Sequence, residues 1–305
     1  MRVVLTGGSR GLGRAMAREL VARGDGVLLT ARRKADAARA AREIEEEAKL
    51  LTDVYRPGGR AVGVACDVGV AEDVAALAEA ARTELGGCDA WISNAGLSGD
   101  YGWFLDQSGD ASVDVVRTNL GGSLLCSQHA LRLFAEQDEP GAIFFVDGAG
   151  ADGLPTPRYA TYGATKAAVA QLWRSVASEA ESVGATAHVL SPGMVLTPLL
   201  LQNTDGEGLA ATFNVLCEHP EVPAAYLVPR ARELVGAKAP AYVRYLNVPR
   251  AIGRVLTWPW RRNRHFDEAT GLKLYADSFV ARAAASAPNA AGGAQAPGFE
   301  RRRDA

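Results

Sequence analysis

Eight consecutive residues near the start, Thr6-Gly7-Gly8-Ser9-Arg10-Gly11-Leu12-Gly13, constrain this chain more than anything else in it. A short apolar run, Arg2–Leu5, precedes them and reads as a strand. The pattern over residues 14–23 follows at once and reads as a helix. Glycine at 7 permits a tight turn, glycine at 11 lets backbone approach a pyrophosphate, and glycine at 13 lets the helix pack close to the strand. A glycine-rich stretch alone says little. One that joins a strand to a helix N-terminus reads as a phosphate-binding loop.

The rest of the first two thirds repeats the same alternation. Short β-branched runs at 26–30, 61–65, 90–92, 142–146 and 186–190 are separated by helical patterns at 34–49, 71–85, 112–135 and 161–183. This predicts βαβ units and an α/β fold: a doubly wound parallel sheet, Rossmann-like, over residues 1–200. In such sheets ligands bind beyond the carboxyl ends of the strands, so function is expected in the loops that follow them. Past Leu199 the alternation stops. Residues 201–282 are expected to form a mostly helical extension covering the site, and 283–305, rich in Ala, Gly and Pro, a disordered tail.

Composition excludes several function classes. A net charge of −2 over 305 residues makes nucleic acid an unexpected partner. Cys66, Cys88, Cys126 and Cys217 form no paired motif, and the four histidines have no ligand spacing, so neither a disulfide framework nor a metal site is expected. No run reaches the roughly 18 apolar residues of a membrane-spanning helix. With Met1 directly before the first strand, a targeting segment has no room within this sequence.

Two further features carry chemistry. The second strand leads into Ala31-Arg32-Arg33-Lys34, where an NAD-binding protein usually places an acidic residue for the ribose 2′-hydroxyl. With Arg10, Arg32 and Arg33 available for a 2′-phosphate, NADPH is the expected cofactor and NADH the less suited. Tyr162-Gly163-Ala164-Thr165-Lys166 puts a phenol and an ammonium one helical turn apart. The spacing predicts that Lys166 lowers the phenol's pKa and makes Tyr162 a proton donor for a carbonyl oxygen.

Together with Asp67, Asn94-Ala95-Gly96, Asn119, Pro192-Gly193 and Thr197, these motifs resemble the short-chain dehydrogenase/reductase family over roughly residues 1–200. The resemblance implies a role for each position. Thr6, Gly7, Ser9, Arg10, Gly11, Leu12 and Gly13 form the phosphate loop, Arg32 and Arg33 flank the adenosine ribose, and Asp67 and Val68 meet the adenine. Asn94, Ala95 and Gly96 support the cofactor and the central sheet. Asn119 orders a water in a proton relay through Lys166, which also binds the nicotinamide ribose. Pro192, Gly193, Val195 and Thr197 lie near the nicotinamide.

One position departs from that pattern. The family's active-site serine falls thirteen positions before Tyr162, where this chain has Ala149. Losing one such donor costs on the order of 10²–10³ in rate. Asp147, Asp152 and Thr156 are the nearby candidates to replace it. The run from Val146 to Lys166, with Leu190–Val195, 213–216 and 226–229, is similar to chlorophyll(ide) b reductases, which share the missing serine. That implies reduction of the 7-formyl group of chlorophyll b or chlorophyllide b to hydroxymethyl in the chloroplast, in the stroma or on the stromal face of the thylakoid. A homo- or hetero-oligomer fits the same reading. Tyr242, Tyr245, Ile252, Trp258 and Trp260, followed by Arg261, Arg262 and Arg264, are compatible with contact to a thylakoid membrane or light-harvesting complex, and equally with a packed helix bearing a solvated basic end. The alternatives are a reductase of small ketones or aldehydes and a non-catalytic dinucleotide-binding regulator.

Overall fold

A computed structural model describes residues 1–201, 209–275 and 279–280. Met1–Leu274 form one compact unit. In chain order its first elements are β1 (Arg2–Leu5), α1 (Gly11–Ala22), β2 (Gly26–Ala31), α2 (Lys34–Ala48), β3 (Arg60–Ala65), α3 (Ala71–Leu85) and β4 (Ala90–Ser93). Then come α4 (Gly109–Val116), α5 (Gly122–Ala135), β5 (Ala142–Val146), α6 (Ala160–Ala180) and β6 (Thr186–Ser191). The unit continues with α7 (Pro198–Leu201), α8 (Ala210–Leu216), α9 (Glu221–Leu234), β7 (Tyr242–Arg244), α10 (Val248–Leu256) and α11 (Trp258–Arg261).

The strands form one sheet in the order β3-β2-β1-β4-β5-β6-β7, all parallel. Parallel strands covered on both faces read as unbroken apolar runs, as Ala142-Ile143-Phe144-Phe145-Val146 does, with all five residues buried. Alternate side chains feed two cores. Val3, Leu5 and Leu29 pack with Met16, Leu20, Ile44 and Leu227 on the face covered by α1, α2 and α9. Val4, Leu28 and Trp91 pack with Leu77, Phe134 and Val169 on the face covered by α3, α5 and α6.

The doubly wound α/β expectation holds, with two changes of detail. The extension past Leu199 is not wholly helical: β7 adds a seventh strand to the sheet by pairing Val189, Leu190 and Ser191 with Tyr242, Val243 and Arg244. The helix expected over 112–135 is interrupted by a wide π turn, Arg117–Gly121, in which the Gly122 N–H reaches back five residues to the Arg117 carbonyl. The tail expected over 283–305 lies outside the described residues.

The basic end of the extension is ion-paired, with Arg262 and Arg264 still exposed. Arg254, Arg261 and Arg264 all pair with the buried Glu218, and Arg262 pairs with Glu268. The apolar side of α10 and α11 is outward, with Ile252, Val255, Leu256 and Trp258 exposed and Trp260 82% exposed. Among the described residues no helix is long and apolar enough to cross a membrane.

Candidate active site

The chain leaves β3 at one edge, recrosses the sheet, and enters β4 beside β1, so a crevice opens where the strand order reverses. Thr6 and Asn94, the residues just past these two strands, lock it together. The Thr6 hydroxyl accepts from the amides of Asn94 and Ala95 at 3.0 and 3.1 Å, and Asn94 Nδ2 donates to the Thr6 carbonyl at 2.9 Å.

The glycine loop follows β1 with no room for side chains. A Cβ on Gly13 would sit 2.3 Å from the Gly7 carbonyl oxygen, and one on Gly7 would meet Ala95 Cα at 2.8 Å. Gly7 and Gly11 have φ of +68° and +56°, the left-handed region that disfavours other residues. The loop rests on β2, where Thr30 Oγ1 accepts from the Gly7 amide at 3.0 Å.

Above these strand ends lies a cavity of about 1150 Å³. Of the positions singled out in the sequence, Gly7, Ser9, Arg10, Gly11, Leu12, Gly13, Arg32, Arg33, Asp67, Val68, Asn94, Ala95, Gly96, Tyr162, Lys166, Pro192, Gly193, Val195 and Thr197 line it. Thr6 and Asn119 stand behind the lining. The close-set glycine cradle opening onto a helix N-terminus and a long cavity fits a dinucleotide. Among the described residues Arg10 and Arg32 have no ion pair, whereas Arg33 is held by Asp36, itself shared with Arg39. Asp67 turns inward to its own loop, its carboxylate accepting from the Gly69 amide at 2.9 Å.

Asn119 sits in the π turn and is 2% exposed. Its side chain bridges two elements: Oδ1 accepts from the Leu97 amide at 2.8 Å, and Nδ2 donates to the Leu97 carbonyl at 2.9 Å and to Thr165 Oγ1 at 3.0 Å. The Asn119 carbonyl accepts from the Ser123 hydroxyl at 2.6 Å. The π turn thus clamps the strand-end loop after β4 against α6.

Tyr162 and Lys166 project from the first turns of α6 into the cavity, but their relation differs from the one the spacing predicts. Lys166 Nζ donates to the Val146 carbonyl at 2.9 Å and lies 5.6 Å from the centre of the Tyr162 ring. Burial, together with the charge of Asp147 and the neighbouring Tyr159, raises the Tyr162 phenol above its ordinary range rather than lowering it. Burial also brings Lys166 down to about 8, against the opposing pull of Asp147. The loop after β5 runs against the phenol, since a Cβ on Gly148 would lie 2.2 Å from the Tyr162 hydroxyl.

Of the three candidates for the missing serine, Thr156 is out of reach. It lies outside the cavity lining, gives its hydroxyl to the Tyr159 carbonyl at 3.1 Å, and packs on Gly163. Asp152 lines the cavity but folds back to accept from the Leu154 amide at 3.1 Å. Asp147 accepts from the Tyr242 hydroxyl, and burial raises its carboxyl above the usual range. Tyr159, Tyr242, Arg244 and Leu246 also line the cavity; Tyr242 belongs to the aromatic stretch read from the sequence as a surface or packing feature, not as part of the site. The last three come from β7 and its exit loop, and only the strand pairing brings them there.

One side of the site is aromatic and apolar. Tyr101, Tyr159 and Tyr162 form a run with ring centres 4.8 and 6.1 Å apart, and Arg158 lies over Tyr101 and Trp103. Beside them in sequence Trp103, Phe104, Leu105 and Leu154 are exposed, Leu105 by 86%. Among the described residues there is no metal-binding cluster of His, Cys, Asp and Glu.

Comparison with known proteins agrees with this architecture. Residues 1–208 match the short chain dehydrogenase family. The chain is 39% identical over 282 residues to "Probable chlorophyll(ide) b reductase NYC1, chloroplastic" of Arabidopsis thaliana, covering 90% of this chain and 56% of that protein. It is 35% identical to "Chlorophyll(ide) b reductase NOL, chloroplastic" of Oryza sativa subsp. japonica, covering 87% and 78%. It thus spans just over half the length of the first relative and more of the second. A crystal structure of a 3-ketoacyl-(acyl-carrier-protein) reductase from Brucella melitensis complexed with NADH superposes with a TM-score of 0.66 at 24% identity, over 80% of this chain and 95% of that one. The cradle, the paired Tyr162 and Lys166, the strand order and the match over two thirds of the sequence have one reading: the chain belongs to the short-chain dehydrogenase family.

Proposed function

We propose that this protein reduces the 7-formyl group of chlorophyll b or chlorophyllide b to hydroxymethyl at the expense of NADPH, in a plastid. The reading is carried by the aromatic and apolar side of the site. A flat macrocycle needs an extended apolar surface next to the proton donor, and Tyr159 lies beside Tyr162 with Tyr101 packed on it, while Trp103, Phe104, Leu105 and Leu154 are exposed. The two plant relatives named above carry this activity in their names. The outward apolar side of α10 and α11 fits contact with a thylakoid surface or pigment–protein complex better than an isolated soluble existence.

When bound, the cofactor supplies the hydride that reaches the carbonyl carbon. Tyr162 holds the proton for the carbonyl oxygen. A phenol raised by burial keeps that proton throughout the neutral range, as a donor in the reductive direction must. Lys166, fixed by the Val146 carbonyl, retains further N–H donors for a ribose hydroxyl. Asn119 holds the two loops that flank the reacting group at a fixed separation, and orientation of this kind accounts for much of a bimolecular barrier.

The test is a spectroscopic assay of purified protein with chlorophyllide b, comparing NADPH with NADH. Growth of the 7-hydroxymethyl product with NADPH supports the proposal. Tight NADPH binding without pigment turnover, or turnover of small ketones in its place, sinks it. Among the described residues Arg10 and Arg32 line the cavity without an ion pair, and a charge-assisted hydrogen bond is worth about 1.5–3 kcal/mol. The double substitution Arg10→Ala and Arg32→Ala is therefore expected to raise the NADPH KM by about 10–100-fold per bond lost while leaving NADH nearly unchanged. Equal losses for both cofactors would remove the 2′-phosphate role.

A further inference from the structure

Each carbonyl reduced takes up one proton, so a site that donates from an enclosed phenol needs a way to refill it. The Asn119 side chain holds Leu97 and Thr165, with both of its N–H groups in use, and its carbonyl accepts from Ser123. On the other side of Lys166 the structure places a series of proton-bearing groups, separated from it by a small void, that ends at the surface.

Asp147 directly follows β5, one residue after the carbonyl that holds Lys166. A small void of about 10 Å³ lies between Asp147, Lys166 and Tyr242, closed off by Phe145, Val169 and Val189. A void of that size holds about one water where polar partners are present, and Asp147, Lys166 and Tyr242 are among the residues that line it. Beyond it Asp147 accepts from the hydroxyl of Tyr242 on β7. Tyr242 is 37% exposed and lies under the guanidinium of Arg244 at 4.9 Å.

We propose that Asp147 is the residue through which Tyr162 is reprotonated: solvent, Tyr242, Asp147, the water-sized void, Lys166, Tyr162. Tyr162 loses its proton to the product oxygen and takes one from the Lys166 ammonium. Lys166 takes one from the Asp147 carboxyl, and Asp147 takes one from solvent by way of the Tyr242 hydroxyl. One proton enters and none accumulates. The groups facing Asp147 are Tyr162 and Lys166 from α6, Ser191 from β6, and Tyr242 and Arg244 from β7. Burial raises the carboxyl and lowers the ammonium, which narrows the gap between their proton affinities. Asp147 acts through Lys166 and is a positioning residue for the proton, not a group that touches substrate. The direction of flow rests on the reductase reading, whereas the coupling of Asp147 to Lys166 does not.

Asp147→Asn in the full chain keeps an oxygen to accept from Tyr242 and cannot carry the proton. The expected result is unchanged NADPH binding and thermal midpoint, a fall in kcat of about tenfold or more, and a solvent deuterium isotope effect larger than in the wild type. Added formate or acetate should recover part of the rate, and Tyr242→Phe should slow turnover in the same sense. A second measurement needs no substrate: the pH dependence of reductive methylation of Lys166, followed by mass spectrometry. Removing the Asp147 charge should shift that midpoint to lower pH. Wild-type kcat, pH profile and isotope effect in Asp147→Asn would overturn the proposal. So would a loss of rate with an unchanged isotope effect and no rescue, which marks a structural role. Should the wild type fail to turn over the pigment, the reductase reading falls, and an unshifted Lys166 midpoint would separately overturn the coupling.

Discussion

Tyr162→Phe is expected to lower kcat for pigment reduction by about 10³-fold, within the 10²–10⁴ range of a positioned proton donor, while the Kd for NADPH changes less than threefold. The argument rests on how little else the substitution touches. The Tyr162 ring is held edge-on to Tyr159 at 6.1 Å and stays so as phenylalanine. Only the hydroxyl is lost, and the side-chain-free Gly148 lies close beside it. Ground-state binding is untouched and the transition state is not, so the whole effect should appear in kcat rather than KM. Retention of more than a tenth of the wild-type rate would show that another group protonates the oxygen, and attention would move to Tyr159.

The second large effect concerns stability. Glu218 is 4% exposed and meets Arg254 and Arg261 at 2.8 and 3.1 Å, with Arg264 on its second oxygen. Its backbone is part of the same joint: the Glu218 carbonyl accepts from the Leu196 amide at 2.9 Å, and its own N–H donates to Met194 at 3.1 Å. Arg254 is 6% exposed and cannot recover its charge balance from water. Removing one partner of a buried ion pair costs about 3–5 kcal/mol, because the other charge stays behind. Glu218→Ala should therefore lower the unfolding free energy by that much in urea titration. A loss under about 1 kcal/mol would mean that water reaches the arginines.

The same carboxylate sets an acid limit. Burial works to raise Glu218, but the hydrogen bond from Arg264 and the charges of Arg264 and Arg254 outweigh it and leave it below its ordinary 4.5. A lowered folded-state value means that the stabilisation is present above pH 4.5 and is lost as pH falls below it. Glu218→Gln should flatten the stability curve between pH 5 and the acid transition relative to wild type.

Much of this was legible in the sequence for a physical reason: parallel strands and their helices are local patterns, and the glycine cradle sits at a junction both neighbours announce. The family expectation is likewise met by the match over residues 1–208. Most of the departures involve partners far apart in sequence. Tyr242-Val243-Arg244, between Pro240 and Pro249, is too short to show alternation, and it becomes a strand only because β6 offers an edge. The basic cluster at 261–264 reads as solvated until Glu218, more than forty residues earlier, is placed among its arginines. The spacing of Tyr162 and Lys166 places both groups on one face of α6, yet says nothing of the Val146 carbonyl that claims the ammonium, and so the expected fall in the phenol's pKa is not found. The apolar stripe over 112–135 runs through the π turn without a break.

That turn has a consequence for how this segment can change over time. An α-helix rotates about 100° per residue, so α4 and α5 are out of phase by one extra step at Arg117–Gly121. Substitutions along the segment alter single contacts and can be absorbed one at a time. A one-residue deletion inside the turn would let the two helices run on as a single regular one, leaving Cys126, Ala130, Leu133 and Phe134 on the core they fill but drawing Asn119 away from Leu97. The length of this stretch is therefore held more tightly than its composition, and indels should be purged here while neighbouring surface loops drift.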